Sequence, residues 1–260
     1  MGRITFDHTG KNVMVFGGTS GINLGIARGF AAAGARLGVA SRSQDKVDAA
    51  VNELGNDAGP ALGFSLDVRD AEAVKTAVDQ FVAERGTIDV LVSGAAGNFL
   101  APAAGLSPNG FKTVIDIDLL GTFNVMRAGY DGMTKPGAVA INISAPQSWI
   151  AMPFQIHACA AKAGIDQVTR TLALEWGPEG IRVNSISPGP IAGTEGMERL
   201  APNAEAAEAS KKAVPLGRWG EIEEIADMAM FLASGSAQYV TGAVIPVDGA
   251  SGAGRSLGNR

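Results

Sequence analysis

The 260-residue sequence has little cysteine, histidine and charge. Its single cysteine excludes an intrachain disulfide framework and any zinc or iron–sulfur site built from several cysteines. Its two histidines, His8 and His157, are too few for a metal centre of histidine ligands, so no metal is expected. Charged residues make up 18% of the chain and leave a formal net charge of −5. No nucleic-acid partner is expected, because non-specific nucleic-acid binding depends on neutralising phosphates with basic residues.

The sequence also lacks a recognisable targeting or membrane-spanning segment. Residues 1–8 contain an acid and no apolar core, unlike a signal peptide. The uncharged stretches 90–111 and 136–156 contain prolines, glycines and asparagines, which a lipid-facing helix tolerates badly. The last three residues, glycine, asparagine and arginine, differ from a Ser-Lys-Leu-type peroxisomal address. We expect a soluble cytoplasmic protein with no membrane span, or a peroxisomal one if its source is eukaryotic.

Apolar residues, at 46% of the chain, are numerous enough to build a packed core. Seven short, continuously apolar runs, typical of buried parallel strands, lie at residues 12–16, 36–40, 61–66, 88–93, 138–144, 181–187 and 243–247. Helical patterns alternate with them near residues 23–33, 45–54, 70–84, 108–133, 155–177 and 221–233. This alternation predicts one α/β domain over residues 1–260, with a parallel sheet covered by helices on both faces.

One segment, residues 191–214, is a longer insertion between the sixth strand and the last helix. Long ordered insertions in compact domains are usually functional, so we expect a substrate-side lid or binding loop here. Its cations suit CoA phosphates, or else they pair with nearby glutamates on a solvated helix, and the sequence leaves both open. These cations are Arg199, Lys211 and Lys212, with Arg218 just beyond the insertion.

A glycine-rich turn follows the first strand at residues 17–25 (GGTSGINLG). Between a strand and a helix, such a turn lets backbone N–H groups approach a pyrophosphate. The second strand ends near Arg42, and residues 40–43 contain no acid to hold a ribose 2′-hydroxyl. Because an arginine suits a 2′-phosphate, NADPH is favoured over NADH.

Four further motifs follow the glycine-rich turn along the chain. They are Asp67-Val68 after the third strand, Ala95-Ala96-Gly97 after the fourth strand, Lys162 on a long helix, and Pro188-Gly189-Pro190 after the sixth strand. Together these motifs resemble the short-chain dehydrogenase/reductase family over essentially the whole chain. The resemblance implies a Rossmann-like doubly wound parallel sheet of seven strands in the order 3-2-1-4-5-6-7. It also implies a homotetramer, or a dimer, packed through the helices near 116–133 and 155–177. The implied NADPH contacts are Gly17, Thr19, Ser20, Gly21, Ile22, Arg42, Ser43, Asp67, Val68, Ala95, Gly97, Lys162, Pro188, Gly189, Ile191 and Thr194.

The catalytic motif of that family is broken in this chain. The family usually reduces carbonyls with an asparagine, a serine, and a tyrosine and lysine spaced Tyr-xxx-Lys. Lys162 is present, but Ala158 stands at the tyrosine position, Ala145 at the serine position and Asp118 at the asparagine position. Neither of the chain's two tyrosines has a lysine four residues later, so no shift of register restores the motif.

The broken motif has a chemical consequence. Reducing a carbonyl requires a positioned acid at oxygen, and the phenol and the serine hydroxyl are both missing. Reducing a carbon–carbon double bond conjugated to a thioester instead moves charge to the thioester oxygen, where hydrogen-bond donors stabilise an enolate. Carbon can then be protonated by water, so an ammonium and a water-holding carboxylate suffice. The sequence therefore predicts reduction of a conjugated double bond.

A narrower similarity agrees with this chemistry. Residues 96–100, 116–118, 155–164, 174–178 and 188–196 resemble the corresponding segments of the peroxisomal-type 2,4-dienoyl-CoA reductases. The resemblance implies NADPH-dependent reduction of 2,4-dienoyl-CoA to 3-enoyl-CoA in unsaturated fatty acid β-oxidation. It makes Asp118 and Lys162 the catalytic pair, acting with ordered water on an acyl-CoA substrate. The other implied substrate-side residues are Arg42, Arg69, Phe99, Ser107 and Asn109.

Several alternatives stay open at this stage. Asn98 either bonds the thioester oxygen or closes a turn, and His157 is either an acid–base group or a packed side chain. Cys159 is expected to pack as a small apolar group. Asn23 stands where the family has a third glycine and crowds the cofactor turn. The substrate is a dienoyl-CoA, another enoyl or oxoacyl thioester, or the chain binds NADPH without turnover.

Overall fold

The computed structural model describes residues 4–201 and 203–254, except for the side chains of residues 198–200. The side chain of Arg199, the first three residues and the last three, all used in the sequence predictions, therefore lie outside the described residues. Within the described ranges, no helix combines the length and apolar character needed to cross a membrane.

Seven parallel strands form one sheet in the order β3-β2-β1-β4-β5-β6-β7, which confirms the predicted fold class. The strands are β1 Asn12–Phe16, β2 Arg36–Ser41, β3 Leu62–Ser65, β4 Val90–Ser93, β5 Val139–Ile143, β6 Arg182–Pro188 and β7 Val244–Val247. The helices are α1 Gly21–Ala32, α2 Gln44–Leu54, α3 Ala71–Arg85, α4 Pro108–Val114, α5 Gly121–Gly132, α6 Ile156–Trp176, α7 Glu195–Leu200, α8 Ala204–Ala213 and α9 Ile222–Ala233.

Two apolar cores lie on opposite faces of this sheet. Side chains alternate along a strand, so Val13 and Val15 of β1 pack on one face with α1 and α9. Met14 and Phe16 pack on the other face with α3 and α5. Both faces of β1 are completely buried, which explains why its sequence is continuously apolar rather than alternating.

The strand order reverses between β1 and β4, which are neighbours in the sheet. The chain leaves β1 towards β2 on one side, and later returns to place β4 on the other. In sheets of this kind, the crevice beyond the carboxyl ends of such strands is where ligands bind. The fold therefore places the glycine-rich turn and the segment after β4 at one edge.

The helical pattern predicted over residues 108–133 is not one regular helix. A π-helical turn, Ile115–Leu120, separates α4 from α5 and contains Asp118. Wide turns of this type commonly occur at functional sites because they reposition a side chain relative to a regular helix. The insertion at 191–214 contains α7 and α8, so it is largely helical.

Candidate active site

Two adjoining cavities open at the carboxyl edge of the sheet, and Asn23, Gly94 and Ala96 line both. The first has a volume of about 260 Å³ and the second about 540 Å³. Eight predicted cofactor residues line the first cavity: Gly17, Thr19, Ser20, Arg42, Ser43, Asp67, Val68 and Ala95. Seven line the second: Gly21, Ile22, Lys162, Pro188, Gly189, Ile191 and Thr194. The structure thus brings all predicted cofactor residues except Gly97 to the walls of one continuous cleft.

The first cavity suits the phosphates of a dinucleotide. Ser20 and Ser43 stand at the N-caps of α1 and α2, and neither side chain caps its helix. The first-turn N–H groups of both helices therefore lack a side-chain cap and can meet an anion. By contrast, the Asp70 carboxylate caps α3, which lines neither cavity. Gly17 has φ +78°, and a Cβ there would lie 2.8 Å from the backbone nitrogen of Ala95, so this close approach requires glycine.

The cationic end of the first cavity contains Lys46, which the sequence analysis did not single out. Arg42 and Lys46 both line it, and both are exposed. Lys46 follows Arg42 by four residues, on the first turn of α2. Two cations beside Ser43 at a helix N-terminus form a site for a phosphate group.

Arg69, predicted to lie on the substrate side, is paired with Asp67. Its guanidinium donates to both carboxylate oxygens of Asp67, at 3.0 Å from Nε to each and 2.6 Å from Nη2 to Oδ2. These hydrogen bonds lower the pKa of Asp67, and the charge of Arg42 contributes in the same direction. Arg69 lines neither cavity, so its role towards substrate stays a prediction.

Asp118 and Lys162 form a buried ion pair. Lys162 Nζ lies 3.3 Å from Asp118 Oδ2, and the two side chains are 10% and 2% exposed. The N–H of Gly97 donates to Asp118 Oδ1 at 2.7 Å, and Lys162 also donates to the carbonyl of Ile143 at 3.1 Å. These contacts hold a carboxylate and an ammonium together; Lys162 lines the second cavity, whereas Asp118 lies behind it and lines neither cavity, so the catalytic role of the pair stays a prediction.

No hydroxyl replaces the missing tyrosine or serine at its own position. Ala158 is buried against Val114 and Ala161, and Ala145 lines the second cavity. Next to Ala145, the Ser144 hydroxyl is buried, lines the same cavity, and has no hydrogen-bond partner among the described residues. The sequence analysis did not single out Ser144.

Asn98 joins two glutamines in a cluster of side-chain amides. Asn98 Nδ2 donates to Gln155 Oε1 at 2.7 Å, and Gln147 Nε2 donates to the same oxygen at 3.2 Å. Both glutamines line the second cavity together with Lys162, whereas Asn98 does not. Gln155 was part of a recognised motif without an assigned role, and Gln147 gave no sequence signal.

His157 is a buried, neutral side chain, and it packs against Phe99 with ring centroids 4.5 Å apart. Its Nδ1 accepts the N–H of Ala158 at 2.7 Å, which leaves the proton on Nε2. Burial lowers the pKa of His157 below its usual 6.5, and the nearby charge of Asp118 opposes this only in part. Phe99 is 41% exposed and covers the histidine from outside.

This lowered pKa predicts a pH-dependent stability. The unfolded chain takes up a proton near pH 6.5 while the folded chain resists it, so the free energy of unfolding should fall as the pH drops below about 6.5. Burial lowers the pKa of His8 as well, with the same sign. We expect His157→Gln to flatten this dependence and His8→Gln/His157→Gln to flatten it further, as measured by urea unfolding between pH 7.5 and 5.5. An unchanged slope in the double variant would contradict the assignment.

Two predicted acyl-path residues, Ser107 and Asn109, make local hydrogen bonds at the start of α4. Ser107 Oγ accepts the N–H of Gly110 at 3.0 Å and caps α4, and the carbonyl of Asn109 accepts the Thr113 hydroxyl at 2.8 Å. Neither residue lines either cavity, so their place on the acyl path stays a prediction.

Two of the predicted cations in and just beyond the insertion are paired with acids. Lys211 contacts Glu208 at 2.8 Å, and Arg218 contacts Glu224 at 2.7 Å. Cys159 is half-buried, with its sulfur 3.9 Å from the carbonyl of Ile150.

Asn23, at the third-glycine position, is accommodated by Gly94. Asn23 Nδ2 donates to the carbonyl of Gly94 at 2.7 Å, and a Cβ on Gly94 would lie only 2.2 Å from Asn23 Oδ1. The asparagine therefore occupies the space that a side chain at position 94 would need.

Because Asn23 occupies the space that a side chain at position 94 would need, substitutions at positions 23 and 94 should have non-additive effects on the free energy of unfolding. Gly94→Ala should destabilise the wild-type chain by about 1–3 kcal/mol through overpacking, and should cost much less in an Asn23→Gly background. A double-mutant cycle of unfolding free energies measures the difference. Equal costs in both backgrounds would contradict this account of Asn23.

Comparison with known proteins agrees with the fold and the cleft. Residues 17–250 match a family model described as enoyl-(acyl carrier protein) reductase. The peroxisomal 2,4-dienoyl-CoA reductase [(3E)-enoyl-CoA-producing] of Pongo abelii is 47% identical over 241 residues, covering 92% of this chain and 82% of the relative. A probable 2,4-dienoyl-CoA reductase [(2E)-enoyl-CoA-producing] of Bacillus subtilis (strain 168) is 40% identical, covering 92% of this chain and 95% of the relative.

The solved structures give the same result. A short chain dehydrogenase from Bacillus anthracis superimposes with a TM-score of 0.83 at 39% sequence identity, covering 93% of this chain and 96% of that one. The fold of this family implies a nicotinamide cofactor, and the cleft described above has the glycine turn and uncapped helix N-termini that such a cofactor needs. The chain belongs to the short-chain dehydrogenase/reductase family.

Proposed function

We propose that this protein is an NADPH-dependent 2,4-dienoyl-CoA reductase acting in the β-oxidation of unsaturated fatty acids. The observation that carries the proposal is the buried Asp118–Lys162 pair, whose lysine lines the second cavity, together with alanines at the positions of the family's hydroxyls, Ala145 in the cavity wall and Ala158 in the core. A site with a fixed ammonium and carboxylate but no phenol favours reducing a conjugated carbon–carbon bond over a ketone. The relatives named 2,4-dienoyl-CoA reductase support the same substrate class.

A nicotinamide held in the cleft supplies a hydride, which we assign to the δ carbon of the dienoyl thioester. The chain's residues then have two tasks. Lys162 and the amides near Asn98 stabilise the negative charge that collects on the thioester oxygen. Asp118, held by Gly97 and Lys162, orients a water that delivers a proton to the α carbon. One hydride and one proton convert the 2,4-dienoyl group into a 3-enoyl group.

We propose NADPH rather than NADH because the first cavity has cations where a 2′-phosphate would lie. Arg42 and Lys46 line it beside the uncapped N-terminus of α2, and residues 40–43 carry no acid. A carboxylate in this position would instead suit the free ribose hydroxyl of NADH.

The position of the remaining double bond tests the proposed proton delivery. Protonation at the α carbon gives the 3-enoyl product, whereas protonation at the γ carbon gives the 2-enoyl product. The two relatives reported above are named for different products, (3E) and (2E), so the question is open chemically. We expect NMR of the product made with stoichiometric NADPH to place the double bond between C3 and C4. A bond between C2 and C3 would contradict the role given to Asp118, and cofactor binding without turnover would favour a non-catalytic NADPH-binding protein.

We also propose that the protein is a cytoplasmic homotetramer assembled through α5 and α6. Phe123 of α5 and Leu174 of α6 are 50% and 80% exposed, and large apolar side chains in such positions suit an interface between copies. Light scattering coupled to gel filtration tests this assembly. We expect the mass of four chains, and expect Phe123→Glu/Leu174→Glu to lower it.

A further inference from the structure

We propose that Gln155 donates a hydrogen bond to the thioester oxygen of the substrate, in place of the hydroxyls that this chain lacks. This inference rests on the proposed function and deepens it by naming the group that holds the developing negative charge. It follows from the orientation of the Gln155 amide and from its burial in the second cavity.

Gln155 lies where a donor is needed. It is the N-cap residue of α6, three residues before Ala158, and it is 8% exposed. It lines the same cavity as Lys162, the cation of the motif, and Ala145, which stands at the position of the missing serine. The preceding residue, Phe154, has φ +65°, and the N–H of Ala101 donates to its carbonyl at 2.9 Å. Non-glycine residues rarely adopt this conformation, and such strained positions cluster at functional sites.

The Gln155 side-chain amide turns its oxygen towards the amides of Asn98 and Gln147. Asn98 Nδ2 and Gln147 Nε2 both lie within hydrogen-bond distance of one Gln155 atom, at 2.7 and 3.2 Å. The Gln155 atom that meets these two N–H donors is its carbonyl oxygen Oε1. The Nε2 group is therefore directed away from Asn98 and Gln147.

The Gln155 nitrogen has only a weak acceptor among the described residues. The sulfur of Met152 lies 3.9 Å from Nε2, and Met152 lines the same cavity. A thioether is a poor acceptor, so a nearly buried amide keeps donor capacity at the cavity wall. A ligand oxygen in the cavity satisfies it.

Such a donor suits charge that appears only during reaction. The amide is already oriented by Asn98 and Gln147, so it needs no reorganisation when the enolate forms. Asn98 then acts as a positioning residue through Gln155 rather than as a direct contact of the substrate. Lys162 and Gln155 together supply a cation and a neutral donor on one cavity.

The first test removes the donor and keeps the acceptor. Gln155→Glu retains the shape of the side chain and an oxygen for Asn98 and Gln147, but loses both N–H groups. We expect kcat with 2,4-decadienoyl-CoA to fall about 100- to 1000-fold, as for loss of one oxyanion donor, while the affinity for NADPH, followed by its fluorescence, is unchanged. Gln155→Met gives the same loss without adding a charge. Gln80→Glu, on the exposed face of α3, is the matched control and should behave as wild type.

The second test observes the hydrogen bond itself. The ligand is 2,4-decadienoyl-CoA labelled with ¹³C at the thioester carbonyl. Its difference infrared spectrum is recorded in the complex of the protein with NADP⁺, which has no hydride to transfer. We expect the carbonyl band to shift to lower frequency in wild type, Gln80→Glu and Ser144→Ala, and the shift to be smaller in Gln155→Met, where Lys162 remains as a donor. A shift of wild-type size in Gln155→Met, or one that is reduced in Ser144→Ala instead, overturns the proposal. A wild-type spectrum identical to that of free ligand overturns the proposed function itself, and the inference with it.

Discussion

Lys162→Met is expected to lower kcat for dienoyl-CoA reduction by about 100- to 10,000-fold, the range for loss of a positioned acid–base group. Lys162 Nζ lies 3.3 Å from Asp118 Oδ2, and its hydrogen bond to the carbonyl of Ile143 fixes its direction. Without it, the thioester oxygen loses a charged donor and Asp118 loses its counter-charge.

This substitution also affects folding, and the two effects can be separated. Removing one partner of a buried ion pair leaves the other charge uncompensated, at a cost of about 3–5 kcal/mol. We expect Lys162→Met to lower the free energy of unfolding accordingly, and Asp118→Asn/Lys162→Met to recover part of it while staying inactive. Steady-state kinetics and urea unfolding on the three proteins make this comparison. An active double variant, or a single variant with wild-type kcat, would refute the catalytic assignment.

Arg42→Ala is expected to reduce kcat/KM for NADPH about 10- to 100-fold and to leave kcat/KM for NADH nearly unchanged. The estimate corresponds to losing one or more hydrogen bonds to a charged group, each worth about 1.5–3 kcal/mol. Arg42 lines the first cavity beside Ser43 and Lys46, where a 2′-phosphate would meet two cations and a helix N-terminus. The remaining Lys46 limits the loss, so Arg42→Ala/Lys46→Ala should lose more.

The control for this prediction is a cation outside the cleft. Lys75, on the exposed surface of α3, pairs with Asp79, and Lys75→Ala should not change the ratio of NADPH to NADH use. Equal losses with both nucleotides in Arg42→Ala would mean that Arg42 contributes to something other than 2′-phosphate recognition.

The sheet could be predicted from sequence because buried parallel strands are continuously apolar. Both faces of β1 and β5 are covered by helices, so nearly every residue in them is apolar, and the pattern is visible without any tertiary information. The π-helical turn at Ile115–Leu120 could not be predicted, because it keeps a helical hydrophobic pattern and differs only in how its backbone hydrogen bonds close. Yet this turn carries Asp118.

The residues of the candidate site also differ in how far the sequence predicts them. The family resemblance pairs Asp118 with Lys162, and the structure places their charged groups 3.3 Å apart because the sheet topology brings those two segments together. The hydrogen-bond partners of flexible polar side chains could not be predicted from the sequence. Arg69 is held by Asp67, two residues away, and Asn98 by Gln155, 57 residues away. Motif spacing cannot distinguish a polar side chain that reaches the cleft from one that is hydrogen-bonded to a neighbouring residue, since both have their hydrogen-bonding groups paired.

The central claim is that replacing the family's tyrosine and serine with Ala158 and Ala145 directs the site to carbon–carbon reduction. The most direct measurement is NADPH oxidation with trans-2,trans-4-decadienoyl-CoA beside acetoacetyl-CoA, at equal enzyme and cofactor concentrations. We predict turnover of the dienoyl thioester and none of the ketone. Turnover of the ketone with no reaction of the dienoyl thioester would contradict the account, because some residue would then be delivering a proton to a carbonyl oxygen.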